Sequence, residues 1–191
     1  MKFAYADPPY LGCGKLYLDH HQDALDWDNP ERHRQLVVDL CRDYPDGWAL
    51  SLSSPSLKVI LPMCPDDCLV AAWVRSKSPP FYPVRVTKSW EPVIYRGGRP
   101  KYRNGEEFVR DFCAAHIVDN GLIGSKPRKF NRWIFSLLGA KCGDIFHDLF
   151  PGTFGLSAAW AEWADEASPL AELPLWENGN EFTSVARNAT A

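Results

Sequence analysis

A chain of 191 residues, 46% hydrophobic and 24% charged, has the size and balance of one soluble globular domain able to bury a real core. Its net charge of −3 argues against a generally basic coat, so any nucleic-acid contact must come from a local patch. No apolar run is long enough to span a bilayer and no signal segment precedes the first strand, so a cytoplasmic protein without a membrane partner is expected.

The first element is short. Phe3, Ala4, Tyr5 and Ala6 form an apolar run that stops at Asp7, Pro8, Pro9 and Tyr10, the pattern of a buried strand opening into a rigid loop. In an open α/β sheet ligands bind at that end. The acid accepts hydrogen bonds, the prolines fix the turn, and the tyrosine offers a flat face for a base, a set that suits an exocyclic amine on a planar ring. As a loop acid, Asp7 is expected to carry little of the stability.

Leu11 to Pro30 reads as a loop, with Gly12, Gly14, His20, His21 and aspartates near Trp27, and its position makes it a candidate lid. Asn29 as N-cap, Pro30 at the first position and Glu31 in the first turn then start a helix with Leu36, Val37, Leu40 and Cys41 on one face. Asp46-Gly47 is a turn, Trp48 to Leu52 a strand with a serine-rich end, Ser56 to Leu61 a short helix, and Cys68 to Val74 a buried strand. This alternation argues for a parallel, doubly wound sheet. The six cysteines are irregularly spaced and expected to be reduced; Cys64, Cys68 and His116 match no strong zinc pattern, and no metal is expected.

Arg75 to Lys88 is too rich in proline for a helix, and Trp90 to Tyr95 reads as another strand. Arg96, Arg99, Lys101 and Arg103 follow among glycines and Tyr102, a composition suited to tracking phosphates or to a solvated loop. A helix bearing Trp133, Ile134, Leu137 and Leu138 comes next, then Gly143-Asp144 and the run Ile145 to Gly155. Gly152 permits close backbone approach, and Ala158, Ala159 and Trp160 open a last helix whose N–H groups could hold a carboxylate.

Asp7-Pro8-Pro9-Tyr10 resembles the catalytic motif of S-adenosylmethionine (SAM)-dependent DNA amino-methyltransferases acting on adenine N6 or cytosine N4. Ser125-Lys126-Pro127, the helix after it, and Asp148-Leu149-Phe150-Pro151-Gly152-Thr153 are similar to the segment that leads into the family's SAM-binding strand and turn. With the catalytic motif first and the cofactor motif last, the chain resembles the permuted arrangement of the short bacterial and bacteriophage kind. The resemblance implies an α/β, Rossmann-like methyltransferase sheet, doubly wound, circularly permuted and truncated from the family's order 3-2-1-4-5-7-6 to 1-4-5-7-6. It implies a methyltransferase domain over 1–165, with 1–125 the catalytic half and 126–165 the SAM-binding half, and a tail over 166–191.

The roles implied by the resemblance are catalysis by Asp7, Pro8, Pro9 and Tyr10, and SAM binding by Tyr5, Ala6, Asp7, Lys126, Pro127, Asp148, Phe150, Gly152, Thr153 and Gly155. Arg96, Arg99, Lys101 and Arg103 would bind DNA, whose target base, adenine before cytosine, would be flipped or single-stranded. Two departures stand out. Phe154 replaces a usual glycine and would obstruct the cofactor if it pointed inward; and no runs remain for two further strands, leaving Glu162 and Asp165 as guesses for the ribose and an edge to be covered by the tail or by a second subunit of a homodimer. An alternative on these grounds is a catalytically degenerate protein of the same fold that binds nucleic acid or a protein partner.

Overall fold

The computed structural model describes residues 1–19, 22–75, 83, 85–100, 108–116, 125–152 and 154–166. Its frame is a sheet whose strands are β1 (Lys2–Ala6), β2 (Gly47–Ser51), β3 (Leu69–Val74), β4 (Trp90–Gly97), β5 (Phe112–Ala114) and β6 (Ile145–Asp148). The helices are α1 (Pro30–Asp43), α2 (Ser54–Ile60), α3 (Arg128–Leu138) and α4 (Gly155–Glu166). No described helix is long and apolar enough to cross a membrane.

Alternation along the strands assigns the two faces. Phe3, Tyr5, Ala49, Trp73 and Val93 turn toward α3 and α4, where Phe130, Ile134, Phe135 and Leu138 meet them. Ala4, Ala6, Trp48, Leu50 and Ile94 turn the other way, toward Val37 and Leu40 of α1 and Ile60 of α2. Three layers result, with β1, next to the edge strand β6, buried on both faces. The expected apolar run is therefore a strand that helices cover on either side.

Local signals set the helix ends. The Asn29 side chain accepts the Glu31 N–H at 3.0 Å and Pro30 occupies the first turn of α1, as the sequence predicts. α2 starts at Ser54, two residues before the expected Ser56, because Pro55 fits a first helical turn, whose donor is unused anyway. α3 closes on Gly139, whose N–H bonds the Phe135 and Ser136 carbonyls.

The strand order is β5-β3-β4-β2-β1-β6. The family order 1-4-5-7-6 corresponds in this chain to β6-β1-β2-β4-β3, and those five strands lie in that sequence. Two features correct the simple reading. The sheet is mixed rather than parallel, since β4 runs antiparallel to both β2 and β3. A strand absent from the expectation, β5, adds to β3 in parallel at the edge. With three residues and only Cys113 buried it is too short to show a period.

Candidate functional site

Strand direction decides which turns meet. β1 is parallel to β2 on one side and to β6 on the other, with Tyr5 opposite both Ala49 and Asp148. The turns after Ala6 and after Asp148 therefore leave the same end of the sheet from adjacent strands, and the Leu149 N–H still bonds the Tyr5 carbonyl at 3.0 Å. Because β4 is reversed, its first residues reach this end too: Glu91 lies opposite Trp73, and Arg75 follows directly on β3.

A compact charge network fills the first turn. Lys126, just ahead of α3 and 8% exposed, places Nζ 2.8 Å from Asp7 Oδ2 and 3.7 Å from Glu91 Oε2. Nζ also donates to the Tyr10 hydroxyl at 3.2 Å. That hydroxyl lies 3.0 Å from Asp7 Oδ1 and 2.9 Å from Glu91 Oε2, so its one proton bridges two carboxylates. Arg75 Nη1 holds the other Glu91 oxygen at 3.2 Å and its Nη2 donates to the Lys88 carbonyl. Two carboxylates and two cations thus balance, and the ammonium sits 5.6 Å from the centres of the Tyr10 and Trp73 rings.

The electrostatics follow from this packing. Burial works to lower the Lys126 pKa, but Asp7 and Glu91 outweigh it and hold it above the ordinary lysine value. Burial, then Asp7 and Glu91, push the Tyr10 phenol well up. Tyr5 is likewise pushed well up by burial and by Asp7, and its hydroxyl shares a 2.7 Å hydrogen bond with Ser51 Oγ at the end of β2. Asp7 is consequently not the lightly engaged loop acid that the sequence suggests. It is one side of a nearly buried ion pair.

The second turn is built differently. Burial raises the Asp148 carboxyl above the usual range and the Asp7 charge adds to this, while the Phe150 N–H at 3.3 Å and the Ser157 hydroxyl at 3.4 Å work against it. Gly152 takes φ +44°, and a Cβ there would meet nothing closer than the Phe150 carbonyl oxygen at 3.8 Å, so the approach to this turn is open. Phe154 adopts a left-handed φ of 58° and is 64% exposed. Its side chain turns to solvent instead of blocking the turn, and its carbonyl accepts the Ala158 N–H at the start of α4. A carboxyl poised to accept donors, a bare glycine turn and a helix start are groups that fit a small zwitterionic cofactor such as SAM.

The loop between the Asp7 turn and α1 is tied to itself and packed against the second turn. Asp28 Oδ1 accepts the Gly12 and Gly14 N–H groups at 2.8 and 3.0 Å. The Trp27 ring packs edge-on against Phe150 at 5.0 Å, under Arg32, and its carbonyl pairs with His33 Nε2 at 2.9 Å. The expected lid is a folded segment with two helical turns, Gly14–Tyr17 and Ala24–Asp28. His20 and His21 lie outside the described residues.

Other expected residues divide clearly. Pro8, Pro9 and Ala6 are buried beside Asp7, Pro127 stands at the N-cap of α3, and Gly155 is the first residue of α4. Thr153, Lys101 and Arg103 lie outside the described residues. Arg96 and Arg99 are not brought to the site: Arg96 lies among the last residues of β4 and Arg99 just beyond it, at the other end of the sheet, where Arg96 pairs with Asp67 at 2.7 Å and Arg99 with Asp144 at 2.6 Å. Glu162 pairs with Arg128 across α3 and α4. Burial pushes the Cys64 thiol up to about 12 and the Cys68 thiol up to about 11. Glu91 and Arg75 are the participants that sequence reasoning missed; an acid within an apolar strand was the available signal for the first.

No family model and no curated protein matches the sequence. Among solved structures the chain is similar to the crystal structure of the M1.HpyAVI–SAM complex, with a TM-score of 0.56 and 15% identity over 85% of this chain and 78% of that one. It is also similar to the crystal structure of M1.HpyAVI, with a TM-score of 0.48 and 14% identity over 85% and 76%. At this identity the first likeness establishes a shared fold, a Rossmann-like α/β sheet.

Proposed function

We propose that this chain is a SAM-dependent methyltransferase that methylates the exocyclic amine of a nucleobase in DNA, adenine N6 before cytosine N4. The observation that carries the reading is the register of β1 against β6. It sets an acidic, proline-stiffened turn beside a glycine turn on neighbouring strands, so donor and acceptor can be held together. M1.HpyAVI, which shares the fold, was crystallised with SAM.

Bound SAM would supply an electrophilic methyl group on a sulfonium. Asp148, Gly152 and the first residues of α4 are the groups that would hold it, with Phe150 and Trp27 alongside. The amine nitrogen is a poor nucleophile because its lone pair is delocalised into the ring. Asp7 and the Pro8 carbonyl would accept its two hydrogens, draw it toward tetrahedral geometry and stabilise the positive charge that develops as nitrogen bonds to carbon and the carbon–sulfur bond breaks. The surplus proton leaves to solvent. Tyr10, whose hydroxyl is fixed by the network, presents its ring to the target base, which must be flipped or single-stranded to enter.

The test is mass spectrometry of nucleosides from DNA incubated with the protein and methyl-labelled SAM, single-stranded and duplex, beside the Asp7→Ala variant. Labelled N6-methyladenine that depends on Asp7 is expected; its absence with both DNAs would overturn the reading. A degenerate protein of the same fold remains the second reading, because among the described residues no strand lies beyond β6 to hold the adenosine half. Calorimetry with SAM separates the two, since the degenerate form would not bind. A homodimer covering the β6 edge, where Ile145 is 54% exposed, would register as a doubled mass in sedimentation.

A further inference from the structure

Lys126 occupies one of the two oxygens that the amine would use. Its Nζ lies 2.8 Å from Asp7 Oδ2, so an acceptor amine that approaches this oxygen competes with the ammonium for it. A buried cation cannot simply be abandoned, and a second carboxylate is needed to receive it. Glu91 Oε2 is that group, already 3.7 Å from Nζ, while its other oxygen is fixed by Arg75.

We propose that Glu91 is the positioning residue of the methyl-transfer site: it takes over Lys126 when the acceptor amine displaces it from Asp7, and meanwhile holds the Tyr10 hydroxyl at 2.9 Å so that the ring keeps its place. This rests on the methyltransferase reading. Neither bond making nor bond breaking involves Glu91, and no proton changes owner; the ammonium moves between two carboxylates by a rotation of the Lys126 side chain. The separation makes the exchange short. Nζ needs to travel only the difference between a long and a close ion pair.

The location of Glu91 supports a role in the site over one in the sheet. Its side chain makes its polar contacts to Arg75, Tyr10 and Lys126, all at the ligand end, and it stands on the one strand whose direction is reversed. Had β4 been parallel to its neighbours, its second residue would have pointed to the opposite end of the sheet. The reversal that denies Arg96 and Arg99 to the site is what delivers Glu91 to it.

Steady-state kinetics of wild type, Glu91→Gln, Lys126→Gln and the double variant test this, with SAM affinity measured separately by calorimetry. Glutamine keeps the shape and an oxygen for Tyr10 but removes the charge that receives the ammonium. The expected result is an acceptor KM raised about tenfold with kcat nearly unchanged and SAM affinity intact, because ground and transition states lose the same contact. In the Lys126→Gln background the Glu91 substitution should cost less than twofold, and Glu91→Asp should restore most of the lost affinity. Additive effects of the two substitutions, or loss of kcat and SAM binding together, would overturn the role of Glu91 while leaving methyl transfer by the wild type standing. A wild type that transfers no methyl group to any DNA would overturn both. Should Glu91→Gln unfold, Glu91→Ala with and without Lys126→Gln gives the same comparison, since it too removes the receiving charge.

Discussion

Removing the Asp7 carboxylate should have two consequences that separate in measurement. For the chemistry, loss of an acceptor aimed at developing charge costs about 3–4 kcal/mol, a hundredfold to a thousandfold in rate. For stability, Asp7→Ala strips Lys126 of its 2.8 Å partner and Tyr10 of one acceptor. Breaking a buried pair outright costs about 3–5 kcal/mol. Here Glu91 remains 3.7 Å from the ammonium and both carboxylates are partly exposed, so a cost of about 2 kcal/mol is expected. In a domain of this size that lowers Tm by about 4–8 °C. The same logic predicts a rescue, since Lys126→Met added to Asp7→Ala removes the buried charge that has lost its closest partner and should return about 1 kcal/mol while methyl transfer stays lost. Urea unfolding and a labelled-methyl assay on wild type, Asp7→Ala and the double variant check this. Near wild-type transfer by Asp7→Ala would refute the catalytic argument, and a double variant no more stable than Asp7→Ala would refute the electrostatic one.

Three further outcomes are expected. Burial lowers the His33 pKa from its ordinary value, against the opposing Trp27 carbonyl bond and Asp28 charge, so the native state holds that proton less tightly than the unfolded chain. Its contribution is present above about pH 6.5 and lost as pH falls through the folded pKa, and His33→Gln should flatten that slope in denaturation curves measured from pH 7 to 5. Phe154→Gly relieves a left-handed backbone at an exposed position and should raise stability by about 0.5–1 kcal/mol in urea, whereas an unchanged or lower midpoint would speak against the strain. Gly152→Val fills the open face of the second turn; calorimetry should show SAM affinity down at least tenfold, with stability lowered by only about 1–2 kcal/mol.

What the sequence made legible was local. The β1 run, the Asn29-Pro30 start of α1 and the amphipathic face of α3 are each written in a few adjacent residues, and each is found where expected. The five strands shared with the resembled family also lie in the anticipated order. What escaped depends on strand direction, which no period of side chains records. Arg96 and Arg99 look like a phosphate-tracking pair because cations and glycines gather there. The reversal of β4 carries them to the far end, where Asp67 and Asp144 engage them. Glu91 and Arg75 escaped for the converse reason, being distant in sequence from Asp7 and brought to it through the β1–β2, β2–β4 and β3–β4 ladders. Phe154 was a steric worry whose answer lay in one backbone angle.

The base of the sheet is drawn tight. A Cβ on Gly47 would fall 2.5 Å from the Gly98 nitrogen, and one on Gly97 2.8 Å from the Asp46 carbonyl oxygen, so main chains there run against each other without room for a side chain. At the rim the connections are of another kind, for the segments after β1, β3, β5 and β6 all depart from the same side, and that between Arg75 and Trp90 is fastened at its root by the Arg75 N–H on the Ser89 carbonyl. Insertions and deletions in those upper segments would leave the floor untouched. Loop length at the rim can therefore vary while the glycine-packed floor holds β2 against β4.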